Sequence, residues 1–398
     1  MTVQERLDLI KQVGEEIITE EELVQLLEKG EQLVAYDGFE PSGQIHIAQG
    51  LLRAININKM IKAGVKFKMF VADWHAMANN KMGGDLEKIK TVGHYFIEVW
   101  KACGMETNNV EFLWASDMAK NPNYWKLVVQ VGKTNVLKRF IRTAEMMGRE
   151  ESLDKLTGAN IIYSCMQVAD IFMLGAKITQ LGMDQRKINM LAREIGPQLG
   201  FWKPVVVSHH MLMGLQKSTL DDRSLKLDEE AGNLKLEKNQ TSNIKLQSPA
   251  STLQHQASKL QRTIALKMSK SNPDSAIFMT DSYEDIKRKI NKAYCPEGQV
   301  ENNPVLEYCK YIIFESLDRL RTEQIVLERP IKFGGPVILN SYANLEKLFA
   351  NKEIHPMDLK NAVIKLLDQL LQPTREHFQN NFFARDLLHK VQNFQVTR

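Results

Sequence analysis

Two lysines and two serines fall within Lys267-Met268-Ser269-Lys270-Ser271, and Asn272-Pro273 turns the chain away directly afterwards. Proline fixes its own φ and biases the preceding residue away from helix, so the spacing predicts an exposed loop. A lysine ammonium is a mobile point charge with three donors, suited to a polyphosphate whose charge shifts as a bond breaks. Read alone, the same five residues fit a solvated basic turn equally well. A second stretch lies far upstream, Gly38-Phe39-Glu40-Pro41-Ser42-Gly43-Gln44-Ile45-His46-Ile47-Ala48-Gln49. There the apolar strand Leu33-Val34-Ala35-Tyr36 is expected to break at Gly38 and Gly43, leaving His46 at the start of an amphipathic helix. A strand, a glycine turn and a histidine at a helix start make a place where nucleotide phosphates can sit.

A third group is Tyr163, Gln167 and Asp170, spaced i, i+4, i+7 and so on one face of a helix. Polar residues on a helix face are usually solvated. These lie among Ile171, Phe172 and Leu174, which favours a buried pocket.

The elements that must position these groups follow from periodicity. Thr19 and Glu22 form a capping box for a helix ended by Gly30. Helices are expected from about Ile47 to Ala63 and Leu86 to Ala102, with strands at Lys66–Ala72 and Val110–Leu113. Tyr124 to Met147 reads as one long helix whose stripe (Trp125, Val128, Val129, Val136, Leu137) suits core or a subunit interface equally. A helix at Ile161–Leu174, a strand at Ala176–Gln180, a helix at Met183–Leu199 and a strand at Pro204–Val207 continue the alternation. Strands alternating with helices predict an α/β fold with a parallel, Rossmann-like sheet and a site at the strands' carboxyl ends. From about 216 to 262 the pattern lapses into a polar, low-complexity insertion with three related pieces, Leu225-Lys226-Leu227, Leu234-Lys235-Leu236 and Ile244-Lys245-Leu246. Helices at Ser282–Ala293, Pro304–Arg321 and Asp358–Leu371 then follow without strands between them. The expected organisation is a helical segment over 1–30, a Rossmann-like domain over 31–273 with a further insertion at about 117–160, and a mainly helical domain over 274–398.

Composition excludes little. The chain has 398 residues and a net charge of +4, which permits a nucleic-acid partner without requiring one. Its four cysteines make no C-x-x-C pair and show no zinc spacing, and read as core thiols. The first thirty residues carry no apolar signal core, and no stretch is long enough to span a membrane, so the expected location is cytoplasmic.

The upstream stretch and the basic loop, in this order, resemble the paired HIGH and KMSKS signatures of class I aminoacyl-tRNA synthetases. Tyr163-Ser164-Cys165-Met166-Gln167-Val168-Ala169-Asp170 and Gly182-Met183-Asp184-Gln185-Arg186-Lys187 resemble the amino-acid pocket of the tyrosyl-tRNA synthetases, in their archaeal and eukaryotic branch. Val300-Glu301-Asn302-Asn303-Pro304 and His355-Pro356-Met357-Asp358 resemble that branch's C-terminal, anticodon-binding domain. The resemblance implies L-tyrosine, ATP with Mg²⁺, and tRNA(Tyr) as partners, with no metal site of the protein's own, and a homodimer. It implies that Tyr36 and Asp170 hold the phenolic oxygen, while Tyr163, Gln167 and Gln185 hold the ammonium and carboxyl end. ATP would meet His46, Gln49, Gly38, Gly43 and Met268, with Lys267 and Lys270 on the departing pyrophosphate. Arg186 and Lys187 would reach the acceptor stem. Phe333 and His355 would stack on the first anticodon base, and Asp358 would either read that base or merely cap a helix. The chain departs from the signature at His46-Ile47-Ala48-Gln49, where the second histidine is missing. A tryptophanyl enzyme, a small-molecule nucleotidyltransferase and an inactive RNA-binding paralogue are the rival readings.

Overall fold

The computed structural model describes residues 1–145, 157–216, 268 and 273–394. Lys267, Lys270 and the three related pieces of the polar insertion lie outside the described residues.

Helices α1 (Val3–Lys11) and α2 (Glu20–Glu28) are both started by capping boxes, Thr2 with Glu5 and, as expected, Thr19 with Glu22. Between them runs a strand, β1 (Gly14–Ile18), in a segment that reads as helical from sequence. Its two glutamates hide any alternation of apolar residues; in the fold they serve ion pairs at the sheet edge. Next come β2 (Val34–Phe39), α3 (Leu51–Lys62), β3 (Lys66–Val71), α4 (Asp73–Ala78), α5 (Leu86–Ala102), β4 (Val110–Trp114) and α6 (Ala115–Met118). Then α7 (Pro122–Thr134), α8 (Leu137–Glu145), α9 (Gly158–Met173), β5 (Ile178–Thr179), α10 (Arg186–Gln198) and β6 (Val205–His209) complete the sheet. Its strand order is β1-β6-β5-β2-β3-β4, parallel throughout except that β1 pairs antiparallel with β6. The chain winds outward from β2 through β3 to β4, then returns to β5 on β2's other side. The crevice at the carboxyl ends of β2 and β5 is therefore the switch point where such sheets bind ligands.

Three expectations need correction. Strand β2 does not break at Gly38, which pairs in register with Phe70; its φ is not positive, and a methyl group there would meet the Tyr36 ring at an ordinary 3.6 Å. Gly43, at φ +63°, is where the chain turns. His46 is not at a helix start, because α3 begins only at Leu51; His46 instead forms a bridge with Phe278. Nor is 124–147 one helix: Asn135 is extended (φ −138°, ψ 158°) and separates α7 from α8. In the stripe, Val128 is buried but Val129, Val136 and Leu137 are exposed.

The C-terminal part is mainly helical: α11 (Tyr283–Lys292), α12 (Pro304–Tyr308), α13 (Leu317–Leu320), α14 (Tyr342–Ala350), α15 (Pro356–Asn380) and α16 (Phe382–Asn393). The expected helix from Pro304 to Arg321 is interrupted by a wide turn at Cys309–Ile313 and a tight one at Phe314–Ser316. A hairpin, β7 (Ile325–Leu327) with β8 (Val337–Leu339), and α16 have no counterpart in the sequence reading. One apolar core runs from Leu23 and Phe67 through Trp100 to Tyr308 and Leu367, and a second lies under α7, α9 and α10. No described helix is long and apolar enough to cross a membrane.

His210, just past β6, joins three parts of the chain. Its Nδ1 lies 3.0 Å from Glu15 of β1, its Nε2 lies 3.1 Å from Glu307 of α12, and its ring stacks on Tyr311 at 4.2 Å. Burial disfavours the charged ring, but the Glu15 and Glu307 carboxylates outweigh it and push the imidazole up to about 9. Charged His210 thus stabilises the fold fully below about pH 6.5, where an unfolded histidine is also protonated, and the contribution fades as pH rises through about 9. His210→Gln is expected to cost roughly 1–2 kcal/mol at about pH 6, allowing for solvent at Glu15, and much less at about pH 10. Calorimetric melts of parent and variant check this; a difference independent of pH would remove the ion-pair account.

Candidate functional site

The switch point gathers polar side chains from five elements. Strand β2 delivers Tyr36, 1% exposed, and α9 delivers Tyr163, Gln167 and Asp170, all buried on its inward face. Asp170 is the centre. Its Oδ1 accepts a hydrogen bond from the Tyr124 hydroxyl of α7 at 2.9 Å, and its Oδ2 lies 3.0 Å from His75 Nε2 of α4. A carboxylate can be kept ionised inside a protein only with such partners. Burial alone would push His75 down; Asp170 reverses this and holds the imidazole above its ordinary value. Burial and the same negative charge raise the Tyr36 and Tyr124 phenols, so both stay protonated donors. The Tyr36 hydroxyl has no hydrogen-bond partner among the described residues. An unpaired buried hydroxyl costs about 1–3 kcal/mol, so a polar ligand atom beside it is favoured.

The floor of the pocket is polar as well. Gln167 Nε2 donates to Gln185 Oε1 at 3.0 Å, leaving Gln167 Oε1 buried and unpaired among the described residues. The Tyr163 ring stands edge-on to His75, with centroids 4.9 Å apart. Asp73, fully buried at the start of α4, accepts from the backbone N–H groups of Trp74 (3.0 Å) and Ser116 (2.9 Å) through one oxygen. Asp37, next to Tyr36, is ion-paired with Arg53 of α3, and burial lowers that guanidinium to about 10 against the pull of Asp184. Tyr124, His75 and Asp73 were not among the expected site residues. Asp73 and His75 follow a strand's carboxyl end, which is a readable signal. Tyr124 sits within an apolar stripe and looks like core.

A second cluster surrounds His46. The residue is buried, and Ile47 N–H donates to Ile277 O (2.8 Å) while Met279 N–H donates to Ile45 O (3.0 Å). The fold thus brings the upstream stretch against the segment that follows the basic loop. The Gln49 carbonyl accepts from the Trp100 indole N–H at 2.9 Å, and the Gln49 side-chain oxygen is buried without a partner among the described residues. Met268 is buried, bonded through its N–H to Leu212 O and approached by the Tyr308 hydroxyl. No three His, Cys, Asp or Glu residues among those described are placed to hold a metal ion.

The expected RNA contacts divide. Arg186 is held by Glu16 of β1 at 2.8 and 3.1 Å, so it is engaged within the chain, as is Lys187. Phe333 is exposed beneath Lys332, whose ammonium is 4.9 Å from the ring centre. Arg329 ties the Phe333 turn to His355, donating to Gly335 O (2.6 Å) and Glu353 O (2.9 Å). The helix-cap alternative for Asp358 fails. His355 is the cap of α15, its Nδ1 accepting from Met357 N–H at 3.2 Å, while Asp358 lies inside the first turn. The Asp358 carboxylate has no hydrogen-bond or ion-pair partner among the described residues.

A family model described as tRNA synthetases class I (W and Y) matches residues 28–220 and 231–372. The chain is 43% identical to a cytoplasmic tyrosine–tRNA ligase of Arabidopsis thaliana, over all of this chain and 90% of that relative. A solved tyrosyl-tRNA synthetase of Pyrococcus horikoshii, complexed with L-tyrosine, superposes with a TM-score of 0.81 at 35% identity, covering 98% of this chain and 100% of that one. A tryptophanyl-tRNA synthetase of Aeropyrum pernix shares the fold alone, at 16% identity and TM-score 0.60, over 92% of this chain and 83% of that one.

Replacing Asp170 by Asn removes the charge that sustains His75, so burial should then dominate. The His75 pKa is expected to fall in Asp170→Asn, read by NMR titration of the imidazole. An unchanged value would mean that Asp170 does not govern the ring.

Proposed function

The chain belongs to the class I tRNA synthetases for tryptophan and tyrosine, and we infer from the surroundings of Asp170 that it is a tyrosine–tRNA ligase. It joins L-tyrosine to tRNA(Tyr) with ATP, releasing AMP and diphosphate. The observation that carries this is a buried carboxylate, fixed from two sides, beside a buried phenol with a hydroxyl to spare. A carboxylate has about four acceptor sites, and Tyr124 and His75 use two. The substrate phenol donates to Asp170 and accepts from Tyr36. Phenylalanine would leave both unpaired, an exclusion for which the tyrosyl enzymes are themselves the standing example. An indole offers one N–H donor and nothing for Tyr36 to donate to, which weighs against tryptophan.

At the other end of the amino acid, Tyr163, Gln167 and Gln185 orient the ammonium and carboxylate. The tyrosine carboxylate oxygen attacks the α-phosphorus of ATP, the bond to the bridging oxygen breaks, and pyrophosphate leaves. The terminal ribose hydroxyl of the tRNA then attacks the tyrosyl carbonyl and AMP departs. No side chain becomes acylated; positioning and electrostatics do the work. His46 and Gln49 meet the phosphates, Gly38 and Gly43 admit the nucleotide and Met268 lines its site; the positive charges of Lys267 and Lys270 would stabilise the departing pyrophosphate. Mg²⁺ would arrive bound to the phosphates of the nucleotide and share their charge. Exposed Val129, Val136, Leu137 and Ile162 support a homodimer formed through α7, α8 and α9. That the Arabidopsis thaliana relative is a cytoplasmic enzyme supports a cytoplasmic location.

Pyrophosphate exchange driven by tyrosine, followed by charging of a tRNA(Tyr) transcript, tests the reading. Exchange driven by tryptophan, or none at all, would overturn it. Tyr36→Phe is expected to cut the preference for tyrosine over phenylalanine roughly tenfold, with the ATP KM unchanged. Asp358, facing the paired N–H donors of a guanine's Watson–Crick edge, gives a separable effect. Asp358→Ala is expected to cost about 1–3 kcal/mol in kcat/KM for tRNA charging and to leave exchange untouched. If the variant still prefers guanine over adenine at the first anticodon position by the parental ratio, the reader lies elsewhere.

A further inference from the structure

The segment from Ala276 to Met279 pairs by its backbone with the His46 turn, through the two bonds at Ile45 and Ile47 and the His46–Phe278 bridge. It is not a helix and lies at the edge of no sheet, so something else must fix it. That something is a buried ion pair. Asp281 Oδ2 accepts from Lys289 Nζ at 2.6 Å and from the Phe278 N–H at 2.9 Å. Lys289, 4% exposed, also donates to Ala276 O at 2.9 Å and lies 4.7 Å over the Phe278 ring. One carboxylate and one ammonium thus grip both ends of the segment. The Asp281 carbonyl is held in turn by Arg375 of α15 at 3.1 Å. The fit is close: a methyl group on Gly50, four residues beyond His46, would meet Met279 at 2.5 Å.

We propose that Asp281 and Lys289 are positioning residues for the ATP half-reaction, setting where His46 stands by fixing the segment that pairs with it. The proposal rests on His46 meeting the ATP phosphates. A buried ion pair seldom adds net stability over an apolar pair of the same volume. Its value here is geometric, because two charged groups, bonded to each other and to two backbone partners, the Phe278 N–H and the Ala276 carbonyl, restrict the arrangement of residues 276–281. A displacement on the order of 1 Å at the reacting centre is enough to slow a reaction about a hundredfold.

Three full-length variants test this by pyrophosphate exchange: Asp281→Asn, Lys289→Met and the two together. The double variant keeps the core filled without a lone buried charge, so it folds even if the single variants do not, and thermal melts report that. In the double variant kcat for exchange is expected to fall roughly ten- to hundredfold, with tyrosine affinity unchanged by equilibrium titration. In a His46→Ala background the same double change should add no further loss, since the group it positions is gone. A folded double variant that exchanges at the parental rate would overturn the proposal. So would an equal loss of tyrosine affinity, or an undiminished effect in the His46→Ala background. If His46→Ala itself exchanges normally, it is the phosphate-binding reading of His46 that fails, and this inference falls with it. If His46→Ala is slow and the double variant is not, the positioning inference fails alone.

Discussion

A carboxylate inside a protein must be either neutral or surrounded, and Asp170 is surrounded. Tyr124 and His75 reach it from α7 and α4, while Tyr36 stands within range of its charge on β2. That demand brings four elements to one point and dictates much else. The sheet must reverse its winding beside β2 so that a crevice opens there. Helix α9 carries its polar row inward among buried apolar residues, Val168, Ala169, Ile171 and Phe172. The phenols must remain protonated, which burial ensures. Specificity then follows from what the site would leave unsatisfied with the wrong substrate, rather than from the volume of the pocket.

The second organising feature is that the surroundings of the site are assembled from stretches remote in sequence. β1 supplies the glutamates that hold Arg186 and His210, although they lie 170 and 195 residues away in sequence. Helix α12 contributes Glu307 to His210 and to the Met213 N–H, and Tyr308 to Met268. The two flanks of the polar insertion, at Leu212–Leu215 and Met268, are therefore tied to each other and to the C-terminal helices.

Much of this was legible because it obeys simple periods. The alternation of strands and helices gave the parallel sheet, and the i, i+4, i+7 row gave Tyr163, Gln167 and Asp170 their common face. Capping chemistry located α2. Other features were hidden for physical reasons. β1 carries its information in ion pairs rather than in alternation. The break at Asn135 is an extended residue between two good helices, and nothing in its type demands it. His46 looked like a helix start because the glycine-rich turn before it resembles one, whereas its real partner, Phe278, is remote in sequence. Tyr124 and Tyr308 are hydroxyl-bearing rings in apolar surroundings, and only their neighbours in space show that the hydroxyl is used. The hairpin of β7 and β8, at three residues a strand, is too short to show a period at all.

Helix α15 runs unbroken for 25 residues, with His355 and Asp358 at its start and Arg375 near its end, against the Asp281 carbonyl. At about 1.5 Å per residue it is a rod roughly 37 Å long, and each residue turns its successor by about 100°. Its two ends therefore stand at a separation and an angle set by counting residues, with Pro373, which withholds one N–H from the backbone ladder, the exception among the side chains between them. Substitution along its outer face leaves that dimension alone. Adding or removing a single residue between Asp358 and Arg375 changes both the span and the bearing. Variation here is thus free in letter and fixed in length: the helix is a gauge whose calibration is its residue number.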